Sequence, residues 1–299
     1  MSFENNPIVL VTGANGFTGR FVCLELKKRG IPLIALLRDS NQSEWMDINK
    51  IPYRVADINN SSALSLAMSS CSVLLNVASI GFGATPSILR ACNKSGIKRV
   101  VFVSTTAIFT KLNAKSKAIR VKAEEDIMKS DLDWTILRPT MIFGTPNDRN
   151  IIKLIRYLDR MPFIPVFGTG KFLQQPVYVK DVAWSIVQVI NNEKTFKNHF
   201  NISGSEPIIF NYLIEKVSEG LNLSRKIIHL PLFLVVFIRL LEFFKIKLPI
   251  NSEQIYRLNE NKNFSYLKAK KTFNYKPTKF LEALKSEINL YKVLSSRQY

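Results

Sequence analysis

At 299 residues, 46% of them hydrophobic, the chain is long enough to bury a sizeable core in one or two domains. Its formal charge of +19 would attract phosphorylated small molecules, an anionic membrane surface or nucleic acid. The basic residues are spread widely and no nucleic-acid-binding signature accompanies them, so nucleic acid is not an expected partner and a Lys-rich solvated surface is the simplest reading.

In chain order, the hydrophobic run 8–11 reads as a short buried strand, and the stretch Thr12-Gly13-Ala14-Asn15-Gly16-Phe17-Thr18-Gly19 closes it. A helix is expected over 17–29, with basic residues in its last turn and Gly30 stopping it. Strand, glycine turn and helix N-terminus together form a phosphate cradle. Glycines let the backbone approach a pyrophosphate, and the free N–H groups and helix dipole favour its negative charge. Further strands are expected at 32–37, 52–56, 72–77, 99–104 and 134–138, with helices near 61–69, 84–95 and 116–129. Short apolar strands alternating with amphipathic helices predict an α/β fold, a parallel sheet covered on both faces.

After Arg138-Pro139 the pattern changes. A basic helix is expected over 148–161, a turn at Gly168-Thr169-Gly170, a strand leading into a helix over 175–183, and a strand over 200–204. The remainder reads as mostly helical. Lys153, Arg156 and Arg160 share a helix face, which reads as solvated rather than as a substrate clamp. The apolar run 230–244 is too short to span a bilayer and carries Arg239 and Glu242. It is expected to be a buried helix beside the substrate pocket. The alternative is a peripheral membrane contact through 230–247, with Lys245 and Lys247 at the headgroups.

Three well-separated cysteines, Cys23, Cys71 and Cys92, suit neither a disulfide framework nor a metal site. The two histidines, His199 and His229, lack partners at ligand or triad spacing. No secretory leader is expected ahead of the first strand, and a reducing, cytoplasmic setting is expected unless the 230–247 segment brings the protein to a membrane.

The Gly-x-x-Gly-x-x-Gly spacing after Thr12 resembles the fingerprint of the short-chain dehydrogenase/reductase superfamily, in its atypical and extended branches, the NAD-dependent epimerase/dehydratase-like proteins. The resemblance runs over almost the whole chain. It implies a Rossmann-type doubly wound sheet over 1–140 that binds NAD(P). Over 141–299 it implies a smaller, mostly helical substrate lobe, interleaved with returns to the main sheet. Members often form homodimers.

Cofactor-binding residues expected from motif and resemblance are Thr12, Gly13, Asn15, Gly16, Phe17, Thr18, Gly19, Arg38, Asp57, Ile58, Val77, Ala78, Ser104, Lys122 and Pro139. The second strand ends in Arg38-Asp39. An acid at this place would bond the ribose 2′-hydroxyl of NAD, and an arginine would accommodate the 2′-phosphate of NADP. Arg38 comes first and Arg20 directly follows the last glycine, which favours NADP, with NAD as the alternative. Asp57 would equally suit a cap on the following helix.

In active members of the superfamily a tyrosine serves as acid/base and a lysine four residues on lowers its pKa. Here Val103-Ser104-Thr105-Thr106 resembles the serine/threonine segment, with Thr106 in the substrate-orienting role, and Lys122 resembles the lysine. Counting back four reaches Ala118, so the usual tyrosine is absent from that register. The expectation is therefore an NAD(P)-dependent oxidoreductase or epimerase/dehydratase-like enzyme without that tyrosine, acting on a small molecule such as a nucleotide-linked sugar. The alternatives are a non-catalytic dinucleotide-binding sensor or accessory protein and a peripheral membrane reductase of a lipid-like substrate.

Overall fold

The computed structural model describes residues 7–112, 114–246 and 251–296. The first half alternates strand and helix: β1 (Val9–Thr12), α1 (Phe17–Lys28), β2 (Leu33–Leu37), α2 (Glu44–Ile48), β3 (Tyr53–Val55), α3 (Ser61–Ala67), β4 (Val73–Asn76), α4 (Thr85–Ser95), β5 (Arg99–Val103), α5 (Lys115–Met128) and β6 (Asp133–Pro139). There follow β7 (Ile142–Phe143), α6 (Ile151–Arg160), β8 (Phe163–Phe167), β9 (Leu173–Gln174), β10 (Val177–Tyr178), α7 (Val179–Gln188) and β11 (Asn198–Ile202). The last part contains β12 (Ile208–Ile209), α8 (Phe210–Gly220), β13 (Lys226–Leu230), α9 (Val235–Phe243), α10 (Ser252–Leu258), α11 (Leu267–Phe273) and α12 (Phe280–Ser296).

Seven strands form one sheet in the order β11-β6-β5-β4-β1-β2-β3, every neighbour parallel. The order reverses beside β1, where β2 lies to one side and β4 to the other. This is the doubly wound Rossmann arrangement, whose ligand crevice opens at the C-terminal ends of the strands at that reversal. Alternation along each strand supplies both cores. Val9 and Val11 of β1 join Val101 and Val103 of β5 under α1, α7 and α11. Leu10, Val100 and Phe102 face the opposite way, under α3, α4 and α5. A third core, around Ile152, Ile155, Leu213, Val217 and Leu284, binds α6, α8 and α12 into a smaller C-terminal lobe.

Two features of the second half depart from expectation. The basic helix begins three residues later than expected, at Ile151. Beyond it, β8 pairs in parallel with β13, Phe163 opposite Lys226 through Phe167 opposite Leu230, in a region expected to be mostly helical. Lys153, Arg156 and Arg160 lie on the outward face of α6, opposite Ile151, Ile155 and Leu158.

The larger correction concerns 230–244. The chain does turn helical there, but Val235 is the one fully covered apolar side chain in α9. Phe233, Phe237 and Phe243 are 68%, 61% and 79% exposed. The helix is therefore not a buried wall of a pocket. Among the described residues no helix is long and apolar enough to cross a membrane. Lys247 lies outside the described residues.

Candidate nucleotide-binding site

Gly13 takes φ +65°, and a Cβ there would stand 2.7 Å from the backbone nitrogen of Ala78. Only glycine accepts that conformation without strain, and only glycine permits so close an approach of the β1 and β4 extensions. Gly19 has a different function. A Cβ on it would come within 2.0 Å of the Gly13 carbonyl oxygen, so its bare backbone lets α1 settle against the turn.

Thr12 is almost fully buried. Its hydroxyl donates to Asn76 Oδ1 at 2.8 Å, and Asn76 Nδ2 donates to the Ala78 carbonyl at 3.0 Å. Thr12 thus locks the β1 and β4 ends together and shapes the rim carrying Val77 and Ala78. Gly16 is the N-cap of α1, no side chain caps the helix and no acid stands in its first turn. Asn60 caps α3 and Asn251 caps α10, while α2, α4 to α9 and α11 lack a side-chain cap as α1 does; what distinguishes α1 is its start at the glycine turn, where the sheet order reverses. The leading N–H groups of α1, from Phe17, Thr18 and Gly19, are left for an anion. Phe17 turns its ring edge-on to Phe21 at 5.8 Å and packs on the small-lobe core.

Around the end of β2, Arg38 is exposed, while the Asp39 carboxylate accepts from the Asn41 backbone at 2.9 Å and caps its own short turn. Arg20 donates through Nε and Nη2 to Asn15 Oδ1, at 3.0 and 2.7 Å, and stacks over Trp45 at 5.1 Å. Asn15 in turn donates to the Gln42 carbonyl at 3.1 Å, so the glycine turn and the β2 loop form one unit. Asp57 does not cap α3. It accepts from the backbone and side chain of Asn59, at 2.9 and 3.1 Å, beside the half-buried Ile58.

At the far end of the crevice, Ser104 and Thr106 part company. The Ser104 hydroxyl donates to Glu124, which also pairs with Arg138, in a network closed off from solvent. Its side chain braces α5 against β5 and β6. Thr106 is buried at 7% exposure, with its hydroxyl 3.4 Å from the carbonyl oxygen of Pro139, a long contact that leaves it able to engage another partner. Next to Pro139, the Thr140 hydroxyl is buried with no hydrogen-bond partner among the described residues.

Lys122 is not with them. Its side chain is 65% exposed and pairs with Asp126 at 2.8 Å, an i,i+4 contact along the outer face of α5. Asp126 holds its ammonium above the usual lysine pKa. Ala118, one turn earlier, shares that outer face with Lys122. α5 turns Ala123, Glu124 and Ile127 inward, and the half-buried Arg120 lays its guanidinium against Gly81 in the turn after β4, 2.9 Å from where a Cβ would stand. Burial lowers its pKa, followed by the nearby Arg257. Glu124, four residues after Arg120, sets this register, because its contacts with Ser104 and Arg138 fix which face of the helix points in. Tyr178, at the end of β10, is packed against Gly144 and Phe143 in the small-lobe core.

The profile of the NAD(P)H-binding family matches residues 13–193, from the first glycine of the cradle to the end of the α7 region. The chain belongs to this family. Among curated proteins it is 24% identical over 277 residues to the mitochondrial NADH dehydrogenase (ubiquinone) 1 alpha subcomplex subunit 9 of Arabidopsis thaliana, covering 85% of this chain and 68% of that protein. It spans 64% and 62% of the corresponding proteins of Dictyostelium discoideum and Rattus norvegicus. It is also 24% identical over 260 residues to the N-acetyl-alpha-D-glucosaminyl-diphospho-ditrans,octacis-undecaprenol 4-epimerase of Escherichia coli O157:H7, covering 76% of each chain. Among solved structures, the UDP-glucose 4-epimerase of Thermus thermophilus in complex with NAD superposes with a TM-score of 0.75 at 18% identity, over 95% of this chain and 99% of that one. At that identity the likeness is one of fold.

Proposed function

We propose that this family member binds NADP and acts as an oxidoreductase or epimerase/dehydratase-like enzyme on a small polar substrate, with diphosphate-linked sugars the first class to test. The observation that carries the reading is the uncapped N-terminus of α1 behind Gly13, which is pressed against Ala78 at the reversal of the sheet. A pyrophosphate fits there by chemistry: the leading N–H groups need an acceptor and the glycine turn leaves room for one.

The choice of NADP rests on the β2 loop. Asp39 is occupied by its own turn and Arg38 is exposed beside it, so a 2′-phosphate finds a cation where NAD would need a carboxylate. Val77 and Ala78 would line the middle of the cofactor, and Ile58 would lie under the adenine. Pro139 and the unpartnered Thr140 hydroxyl would face the nicotinamide end. A bound nicotinamide supplies or accepts hydride. The Thr106 hydroxyl would orient the substrate oxygen. Arg120, which stays cationic, would stabilise negative charge developing there but is a poor proton donor. With Ala118 and Lys122 on the outer face of α5, the tyrosine–lysine proton relay has no counterpart at those positions.

That last observation favours a second reading, a dinucleotide-binding accessory or sensor protein without turnover, in keeping with the likeness to the respiratory-chain subunits. Turnover separates the two. The purified protein would be incubated with NADPH or NADP and with UDP-linked and polyprenyl-diphosphate-linked sugars, following cofactor absorbance and sugar configuration. Conversion that Thr106→Val abolishes supports the enzyme. Tight NADPH binding with no conversion supports the accessory role.

A further inference from the structure

The surface of this protein carries one feature that nucleotide binding does not use. From Leu232 to Ile246 the chain displays Phe233, Val236, Phe237, Leu240, Phe243 and Phe244, each more than half exposed. Their spacing puts them on one stripe of α9 and its flanking turns, while Leu234, Val235, Ile238 and Glu242 form the inner side. Contiguous apolar patches of this kind are rare on soluble monomers and mark an interaction surface.

Charge identifies the partner. Arg239 and Lys245 are exposed beside the stripe. The one acid in the segment, Glu242, is turned inward, accepting from the backbone and hydroxyl of Ser252, both at 2.7 Å. Glu253, at the start of α10, is paired with Arg257 at 2.7 Å. What faces outward is therefore an aromatic and aliphatic stripe edged by exposed cations, with Arg239 close enough to feel Glu242. A second copy of this chain fits poorly, because a two-fold contact sets a patch against itself and brings those cations together. An anionic lipid surface satisfies both parts, with acyl chains for the stripe and headgroups for the cations.

The stripe also lies near the nucleotide cleft. Glu242 ties α9 to α10, and Glu260, just beyond α10, accepts from the Thr110 hydroxyl at 2.6 Å and the Lys111 backbone at 2.8 Å. Thr110 directly follows the turn that begins at Thr106, and Arg120 stands between α10 and Gly81. Phe82, next to Gly81, is 86% exposed.

We propose that the exposed face of α9 seats this protein on an anionic membrane, with the helix lying in the plane of the interface beside the mouth of the nucleotide cleft. The docking is independent of turnover and holds whether the protein is an enzyme or an accessory subunit.

Vesicle flotation of the full chain tests it, using phosphatidylcholine alone and phosphatidylcholine mixed with phosphatidylglycerol. The protein is expected to float with the anionic vesicles, less so as salt rises, and to stay behind with the neutral ones. The triple substitution Phe233→Ser, Phe237→Ser and Leu240→Ser alters exposed side chains only, and is expected to reduce flotation about tenfold or more while leaving the melting temperature and NADPH affinity unchanged. The charge control Lys153→Glu with Arg160→Glu, on α6, should float nearly as well as the native chain. If the serine variant floats like the native chain, general surface charge is responsible and the proposal falls. It falls equally if the native chain does not float, including the case where it sediments as a dimer that the serine variant dissociates.

Discussion

The two ends of the main sheet are built on opposite plans. At the N-terminal end Arg99, buried at the start of β5, donates to the carbonyls of Ile190, Asp133 and Val189 and to the hydroxyls of Thr135 and Thr195. It stacks on Phe196 at 4.2 Å, and burial lowers its pKa to about 9. Every partner belongs to the chain itself, and this end is closed. At the C-terminal end, α1 has no cap, Gly13 holds a left-handed backbone, and the Thr140 hydroxyl is buried without a partner among the described residues. A bare helix N-terminus, a glycine turn and an unpartnered hydroxyl gathered at the reversal of the sheet are where a ligand would complete the structure.

The comparison can be broken at either end. Arg99→Met should be the most damaging change, costing about 3–5 kcal/mol of stability because it leaves several buried carbonyls unpaired. Denaturant unfolding would measure this, and a loss below about 1 kcal/mol would show that the closed end is dispensable. Gly13→Val acts at the open end. It should weaken dinucleotide binding by about a hundredfold or more, roughly 2.7 kcal/mol, since the side chain needs the space of Ala78 and disfavours positive φ. Calorimetry giving an unchanged affinity would remove the cradle from the site. Arg38→Ala is narrower, with NADPH affinity falling roughly tenfold and NADH affinity holding. Equal losses for both would mean that Arg38 does not meet the 2′-phosphate.

A smaller effect should come from the small lobe. Glu287, fully buried on α12 beside Asp148, is pushed up to about 10 by burial and by its carboxyl neighbour. It stays protonated in the folded protein at pH values where the unfolded chain has already released that proton. The folded state therefore holds the extra proton between the ordinary carboxylate range and about 10, and its stability declines as pH rises through that window. Glu287→Gln should flatten the decline, gaining on the order of 1–2 kcal/mol over the native chain near pH 9. Parallel melting curves across pH would contradict it. Smallest of all, Lys122→Ala should leave dinucleotide affinity within about twofold, as expected for an exposed i,i+4 pair.

The open end was largely legible in the sequence, because its glycines, strand spacing and alternation are local properties. The register of α5 was not. Lys122 and Arg120 are both basic and two residues apart, and only the long-range demand of Ser104 and Arg138 on Glu124 decides which of them faces inward. The β8–β13 pair was missed for a related reason, since a five-residue apolar run forms a strand only when a partner distant in sequence lies beside it. The exposure of α9 was unreadable as well, because an apolar run does not reveal whether protein, lipid or solvent covers it.

The central claim is that the open end holds NADP. Titrating the native protein with NADPH and NADH under identical conditions, by calorimetry, tests it most directly. The account predicts that NADPH binds at least about tenfold tighter, an advantage lost in Arg38→Ala. Equal affinities, or binding of neither, would contradict it.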